Sequence, residues 1–171
     1  KEVAVGMGLD QRIGERFLRA GPAYGGSCFP KDTRAIIDTA NKFKTRLSII
    51  QSVVNSNESR KLLLTKRTEK ILNGKIKGKK ICFLGVTFKH NTDDMREASS
   101  LYMIPLLSKK GALIRYYDPS GEKEEFKKIK NVKYHKNIKK SCYKTDLIIL
   151  HTEWNEFKLL NFKSLTQKII L

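Results

Sequence analysis

Long apolar runs, a disulfide framework, ligand-spaced histidines and a glycine-rich dinucleotide loop are all missing from these 171 residues. No run approaches the roughly 20 apolar residues that a helix needs to cross a bilayer, and the first residues carry no secretory pattern. No membrane partner is expected. The cysteines number 3 (Cys28, Cys82 and Cys142) and are scattered. An odd, scattered set argues against a disulfide scaffold and fits a reducing compartment, so the expected location is cytoplasmic. His90, His135 and His151 share no metal-ligand spacing, and no metal site is expected. Only Gly85 follows the strand-like run at 81–86, so the G-x-G-x-x-G fingerprint of a dinucleotide site is missing. Asp118 alone does not replace it.

The net charge is +18. A chain this basic calls for testing against nucleic acid, because phosphate neutralisation dominates such binding. Lysine far outnumbers arginine, however, and the lysines are spread along the chain. The densest stretch, 123–140, also holds glutamates and lacks the interleaved aromatics of a base-stacking platform. It reads as a solvated face, and no nucleic-acid partner is expected. The positive field would still draw in an anionic small molecule.

Hydrophobic residues make up 40% of the chain, enough for a core in one domain or two small ones. The first residues read like the end of a helix already under way. A helix is expected over 32–42 and a long one over 47–73. Its apolar positions 47, 50, 54, 64 and 71, with 53 and 63 beside them, follow helical spacing, and Gly74 is a natural stop. Periodicity alone leaves open whether this helix packs within the chain or against a second copy. After the basic stretch 75–80 the pattern changes to strands at 81–86, 112–117, 132–134, 146–150 and 168–171, with helices at 96–110 and 155–160. Such alternation predicts an α/β fold with a parallel, doubly wound sheet. Ligands in such folds bind beyond the carboxyl ends of the strands, which places the loop 87–94 at the mouth.

The run Gly21-Pro-Ala-Tyr-Gly-Gly-Ser-Cys-Phe-Pro-Lys-Asp32 carries the most chemistry. Its glycines allow tight turning and close approach to a ligand. Ser27 can cap a helix that Pro30 opens. A cysteine at that helix start, beside Lys31, is favoured as the thiolate, the nucleophilic form. Asp32 lies four residues on and shares its face, close enough to assist proton transfers. From the residues alone, Cys28 reads equally as a nucleophile or as a small structural cysteine beside a glycine turn. Cys82 and Cys142 read as structural.

This run, preceded by Asp10-Gln-Arg-Ile-Gly14, resembles the catalytic segment of the UDP-glucose/GDP-mannose dehydrogenase family, most closely the UDP-glucose branch. Phe83-Leu-Gly-Val-Thr-Phe-Lys-His-Asn-Thr-Asp-Asp-Met-Arg-Glu97, Tyr117-Asp-Pro119 and Thr152-Glu-Trp-Asn-Glu-Phe157 resemble later landmarks of the same family in the same order. The resemblance implies a catalytic-cysteine and central helical part over 1–76, with a dimerisation helix. It implies a Rossmann-like, parallel-sheet UDP-binding domain over 77–171. It also implies an NAD-dependent oxidation of a UDP-sugar to its acid through a Cys28 thiohemiacetal and thioester, in a homodimer or higher oligomer.

Residue by residue, the resemblance gives Cys28 as nucleophile and Asp32 as the carboxylate that helps activate water. Lys31 and Arg96 fall at cofactor-binding positions. Arg12, Phe17, Leu18, Arg19, Tyr24, Gly25, Phe88 and Lys89 fall at substrate-binding positions, Arg12 in the neighbouring subunit's site. Arg19 stands where many relatives have lysine, and Tyr24 where phenylalanine is frequent. The family's NAD-binding Rossmann domain has no counterpart here, so the chain is expected to be a C-terminal portion that is inactive alone. A GDP-mannose or UDP-N-acetylmannosamine dehydrogenase portion, or a non-catalytic UDP-sugar-binding or dimerisation module, are the alternatives.

Overall fold

The computed structural model describes residues 2–14, 18, 21–162 and 168–170. Three helices lead: α1 (Glu2–Gly8), α2 (Cys28–Lys42) and α3 (Ser48–Ile71). The buried stripe of α3 runs through positions 50, 54, 57, 61, 64, 68 and 71, the alternating three-and-four spacing of one helix face. Its apolar members match the expected pattern. Its buried members, Asn57, Lys61 and Thr68, are polar, as is Thr65 beside them. Leu63 points the other way and stays exposed.

The rest of the chain forms β1 (Lys80–Leu84), α4 (Ser100–Lys109), β2 (Leu113–Tyr117), α5 (Glu124–Lys127), β3 (Val132–Tyr134), α6 (Ile138–Cys142), β4 (Leu147–Leu150), a 3-10 turn at Asn155–Leu159 and β5 (Lys168–Ile170). The five strands lie in the order β3-β2-β1-β4-β5, and every pairing is parallel. The chain thus winds outward from β1 to β3, returns to the other side of β1, and continues to β5. The expected α/β doubly wound sheet is present. Burial on both faces explains why β1 reads as one apolar run. Ile81 and Phe83 join the larger core with Ile104, Leu107 and Ile114, while Cys82 and Leu84 join the opposite one with Cys142, Ile148 and Phe157.

Two local expectations are corrected. The helix expected over 96–110 begins at Ser100, because Asp94 Oδ1 accepts the Arg96 N–H at 2.8 Å and Glu97 is left-handed (φ 57°). An Asp closing its own turn in this way competes with helix formation. The stretch 123–140 also carries two short helices, α5 and α6, and Lys123 in it is buried with Nζ 2.7 Å from Ser120 Oγ. Among the described residues, no helix is long and apolar enough to cross a membrane.

A buried polar chain closes the carboxyl end of the sheet. Thr152 Oγ1 donates to the Thr87 carbonyl at 2.7 Å, so it must accept at 3.0 Å from His151 Nδ1, which therefore carries the ring proton. His151 Nε2 then accepts from Ser99 Oγ at 2.7 Å. Burial pushes the His151 pKa down to about 4. An unfolded histidine protonates below about 6.5, so between these values the unfolded state holds the extra proton and stability falls as the pH drops. The expected loss by pH 4.5 is about 2–3 kcal/mol. Urea unfolding at pH 7 and pH 4.5 reads it directly, and His151→Gln, which cannot titrate, should show a smaller difference than the parent chain.

Candidate active site

The residues 21–28 cross the top of α3 and are fixed there by side chains of that helix. Asn57 pairs with the Tyr24 backbone as a neighbouring strand would, Oδ1 accepting its N–H at 2.9 Å and Nδ2 donating to its carbonyl at 3.2 Å. Arg60 Nε donates to the Pro22 carbonyl at 2.6 Å. On the other side, the Gly26 N–H donates to the Arg96 carbonyl at 2.7 Å. Gly26 has φ 82°, and a Cβ there would stand 2.9 Å from the Phe88 ring; one on Gly25 would stand 2.9 Å from the Glu97 carbonyl oxygen. These two glycines let the segment lie flat against Phe88 and the 94–97 turn.

Cys28 is exposed and opens α2. Ser27 does not cap the helix through its side chain; its Oγ lies 3.6 Å from Cys28 Sγ. Pro30 is the third helical residue, not the first, and there its missing N–H costs nothing. Asp32 shares the helix with Cys28 but its carboxylate is paired with Lys31 Nζ at 2.8 Å. That pair raises the Lys31 pKa, with a smaller contribution from Cys28. Arg96 is likewise raised, first by its pairing with Asp94 at 2.8 Å and to a lesser extent by Cys28. Both cations are therefore within electrostatic reach of the Cys28 sulfur. Cys82 and Cys142 are buried with their sulfurs 3.7 Å apart, and burial raises the Cys82 pKa.

A groove of about 1920 Å³ runs beside this segment, between α3 and the carboxyl ends of β1 and β4. It lies at the point where the strand order reverses, the usual ligand site of an open parallel sheet. Residues 21–25, Phe88, Lys89 and His90 line it from above, Asn57, Arg60 and Arg67 from α3, and Thr152 and Glu153 from the end of β4. Arg60, Arg67 and Lys89 give the lining a positive bias that suits a phosphate group. Lys89 Nζ also stands 5.3 Å over the Phe88 ring.

The sequence-predicted residues divide accordingly. Tyr24, Gly25, Phe88 and Lys89 line the groove. Cys28, Lys31, Asp32 and Arg96 are not in its wall; the chain reaches Cys28 three residues after Gly25, the last lining residue of that segment. Arg12 is remote from the lining and forms an exposed pair with Asp10 at 2.6 Å. Leu18 is half-buried outside the lining, and Phe17 and Arg19 lie outside the described residues. Asn57, Arg60, Lys61 and Glu97 were missed. Asp118 is buried, accepting from Val86 N–H at 2.7 Å and Ser120 N–H at 2.9 Å. Among the described residues, no cluster of three His, Cys, Asp or Glu side chains could hold a metal.

Comparison with known proteins agrees with this layout. Residues 82–170 match the UDP binding domain, and residues 1–59 the central domain, of the UDP-glucose/GDP-mannose dehydrogenase family. The chain is 41% identical over 165 residues to the UDP-glucose 6-dehydrogenase of Rhizobium meliloti and 38% over 167 residues to that of Rickettsia typhi, covering 96% of this chain in each case. It spans 38% of the length of both relatives. A UDP-glucose dehydrogenase structure from the hyperthermophilic archaeon Pyrobaculum islandicum superposes with a TM-score of 0.86 at 29% identity, covering 99% of this chain and 39% of that one. By the match of 82–170 to the UDP binding domain and of 1–59 to the central domain, the chain belongs to the UDP-glucose/GDP-mannose dehydrogenase family.

Proposed function

We propose that this chain is the central and UDP-binding portion of an NAD-dependent UDP-glucose 6-dehydrogenase, with the catalytic-cysteine and dimerisation part at 1–76 and the UDP-binding part at 77–171. The observation that carries the reading is an exposed thiol at the start of α2, with Lys31 and Arg96 in its electrostatic reach, three residues on from the 21–25 wall of a positively lined groove at the sheet's switch point. The diphosphate would lie along the groove near Lys89 and Arg60, with the sugar toward Cys28. Tyr24 and Phe88 would flank the nucleotide as flat apolar surfaces.

Chemically, Cys28 Sγ adds to the carbonyl carbon of a C6 aldehyde, holds that carbon as the thiohemiacetal and then as the thioester, and is released as the acid forms. Asp32 is the carboxylate on hand to accept a proton from the attacking water. NAD, when bound, supplies the hydride acceptor. Lys31 and Arg96 would hold its nicotinamide end, and the donor set here fits that end alone, because Asp118 is committed internally. Turnover is therefore assigned to a protein that also carries an NAD-binding domain, and the 171 residues alone are expected to bind nucleotide without oxidising it. A homodimer belongs to the proposal: Ile36 on α2 and Phe43 just past its end are exposed, apolar surface that a second copy would cover.

Calorimetric titration tests the nucleotide part. UDP-glucose and UDP should bind the 171-residue chain, and Lys89→Ala should weaken both about tenfold. GDP-mannose binding more tightly than UDP-glucose would transfer the assignment to the GDP-mannose branch.

A further inference from the structure

Nothing in the groove explains why a lysine is buried on α3. Lys61 is 1% exposed, its Nζ lying 3.0 Å from Glu58 and 2.7 Å from Glu97, and 4.4 Å above the Tyr102 ring. A buried ammonium is costly unless it is fully paired, so its partners are under constraint. Glu97 is the centre of the cluster. Its other carboxylate oxygen takes Arg34 of α2 at 2.9 Å, and Tyr102 OH lies 3.4 Å away. One carboxylate thus joins α2, α3 and the turn that precedes α4, and the two cations hold its pKa down at about 2.

The backbone around that carboxylate faces the thiol segment. Glu97 is held left-handed at φ 57°, a conformation disfavoured for a residue with a Cβ. The preceding carbonyl, on Arg96, accepts the Gly26 N–H at 2.7 Å, and Glu97's own carbonyl oxygen occupies the space beside Gly25. Side chain and backbone of one residue therefore engage opposite partners: helices on one side, the two glycines before Cys28 on the other.

We infer that Glu97 is a positioning residue, locking the 94–97 turn onto Gly25 and Gly26 and so setting where Cys28 stands relative to Arg96 and Phe88. Its importance for catalysis rests on the proposed role of Cys28; the positioning itself does not. An ion pair that served only the fold would stabilise the sheet and α3 without singling out Gly26.

Amide hydrogen exchange on the 171-residue chain separates the two. In Glu97→Gln the Gly26 amide should exchange about tenfold faster or more, while the amides of 81–84 in β1 stay within about twofold. Iodoacetamide modification of Cys28, the one exposed cysteine of the three, should slow at least about threefold as Arg96 is released. Unchanged Gly26 exchange, acceleration of the β1 amides by the same factor, or faster Gly26 exchange with unaltered Cys28 modification would each overturn the inference. Arg34→Met removes one half-exposed arm of the cluster and should give the same pattern at smaller amplitude. It carries the test if Glu97→Gln does not fold, and an unchanged Gly26 amide in it would then overturn the inference. Titration of the parent chain with UDP-glucose keeps the two claims apart. No binding, with the Gly26 and Cys28 effects present, refutes the functional reading and leaves the clamp standing. Binding, with both effects absent, refutes the clamp alone.

Discussion

Cys28→Ala is expected to lower acid formation about 1000-fold or more in a dehydrogenase that carries this portion, while Cys82→Ala and Cys142→Ala keep most of the activity. The three thiols differ in the properties that govern nucleophilicity. Cys28 is exposed at the amino end of a 15-residue helix, with Lys31 and Arg96 in electrostatic reach. Cys82 is sealed in β1 beside Ser141 Oγ at 3.0 Å, where burial disfavours its thiolate. Cys142 lies against it. Alanine at either buried position costs a small cavity, about 1 kcal/mol, and no chemistry. The measurement is NADH absorbance together with the mass of the trapped enzyme. Cys28→Ser should accumulate an ester that hydrolyses slowly, because an oxygen ester is a less reactive acyl group than a thioester. Equal losses at all three cysteines would show that they act through folding and would remove the covalent mechanism.

Gly85→Ala is expected to be the most destabilising small substitution in the sheet. Gly85 follows β1 with φ 74°, and its N–H donates to the Tyr117 carbonyl at 2.8 Å. A Cβ there would stand 2.6 Å from Thr152 Cβ and 2.9 Å from the Thr152 carbonyl oxygen, and the second of these is backbone that cannot rotate aside. The left-handed conformation costs about 1–2 kcal/mol and the forced shift about 1–3 kcal/mol more. At about 2–4 °C per kcal/mol, the melting temperature should fall on the order of 10 °C. Thr152 also carries the bonds to Thr87 and His151, so nucleotide affinity should fall with it. Gly121→Ala is the control, since Gly121 has φ 96° with open space around it. Equal melting shifts in the two variants would assign the whole effect to backbone strain and remove the close approach.

β1 and β4 are legible because strands buried on both faces are apolar nearly throughout. The run 81–86, the run 146–150 and the shorter ones stand out against a lysine-rich background, and each strand lies within two residues of expectation. The family motif marks Cys28, Tyr24, Gly25, Phe88 and Lys89, and the last four line the groove. Asn57 and Lys61 were not read, for a physical reason: they occupy inward positions of the α3 stripe where an apolar residue is the ordinary choice. The stripe 50, 54, 64, 71 shows in the apolar spacing, and its polar interruptions do not. A polar residue on the inward face of an amphipathic helix is itself a signal, because it must have a partner waiting. Glu97 escaped for a different reason. The Asp94 turn and a positive φ take it out of the expected helix, and neither is written in local propensity. The short helices α5 and α6 were hidden by the charge of the stretch that holds them.

Asp118 gives the sheet's mouth a further character. Its carboxylate already occupies the Val86 N–H, with the Thr87 N–H facing it at 3.4 Å, at the turn where a parallel sheet most readily offers main-chain donors to a phosphate. The protein has seated an anion of its own in that place. A nucleotide in the proposed role would meet a turn that is electrically answered before it arrives, and would find positive charge on the groove side chains Arg60, Arg67 and Lys89. In the proposed role, selectivity for a nucleotide would then rest less on the backbone of this turn than on Arg60, Arg67 and Lys89, residues that substitution can change one at a time.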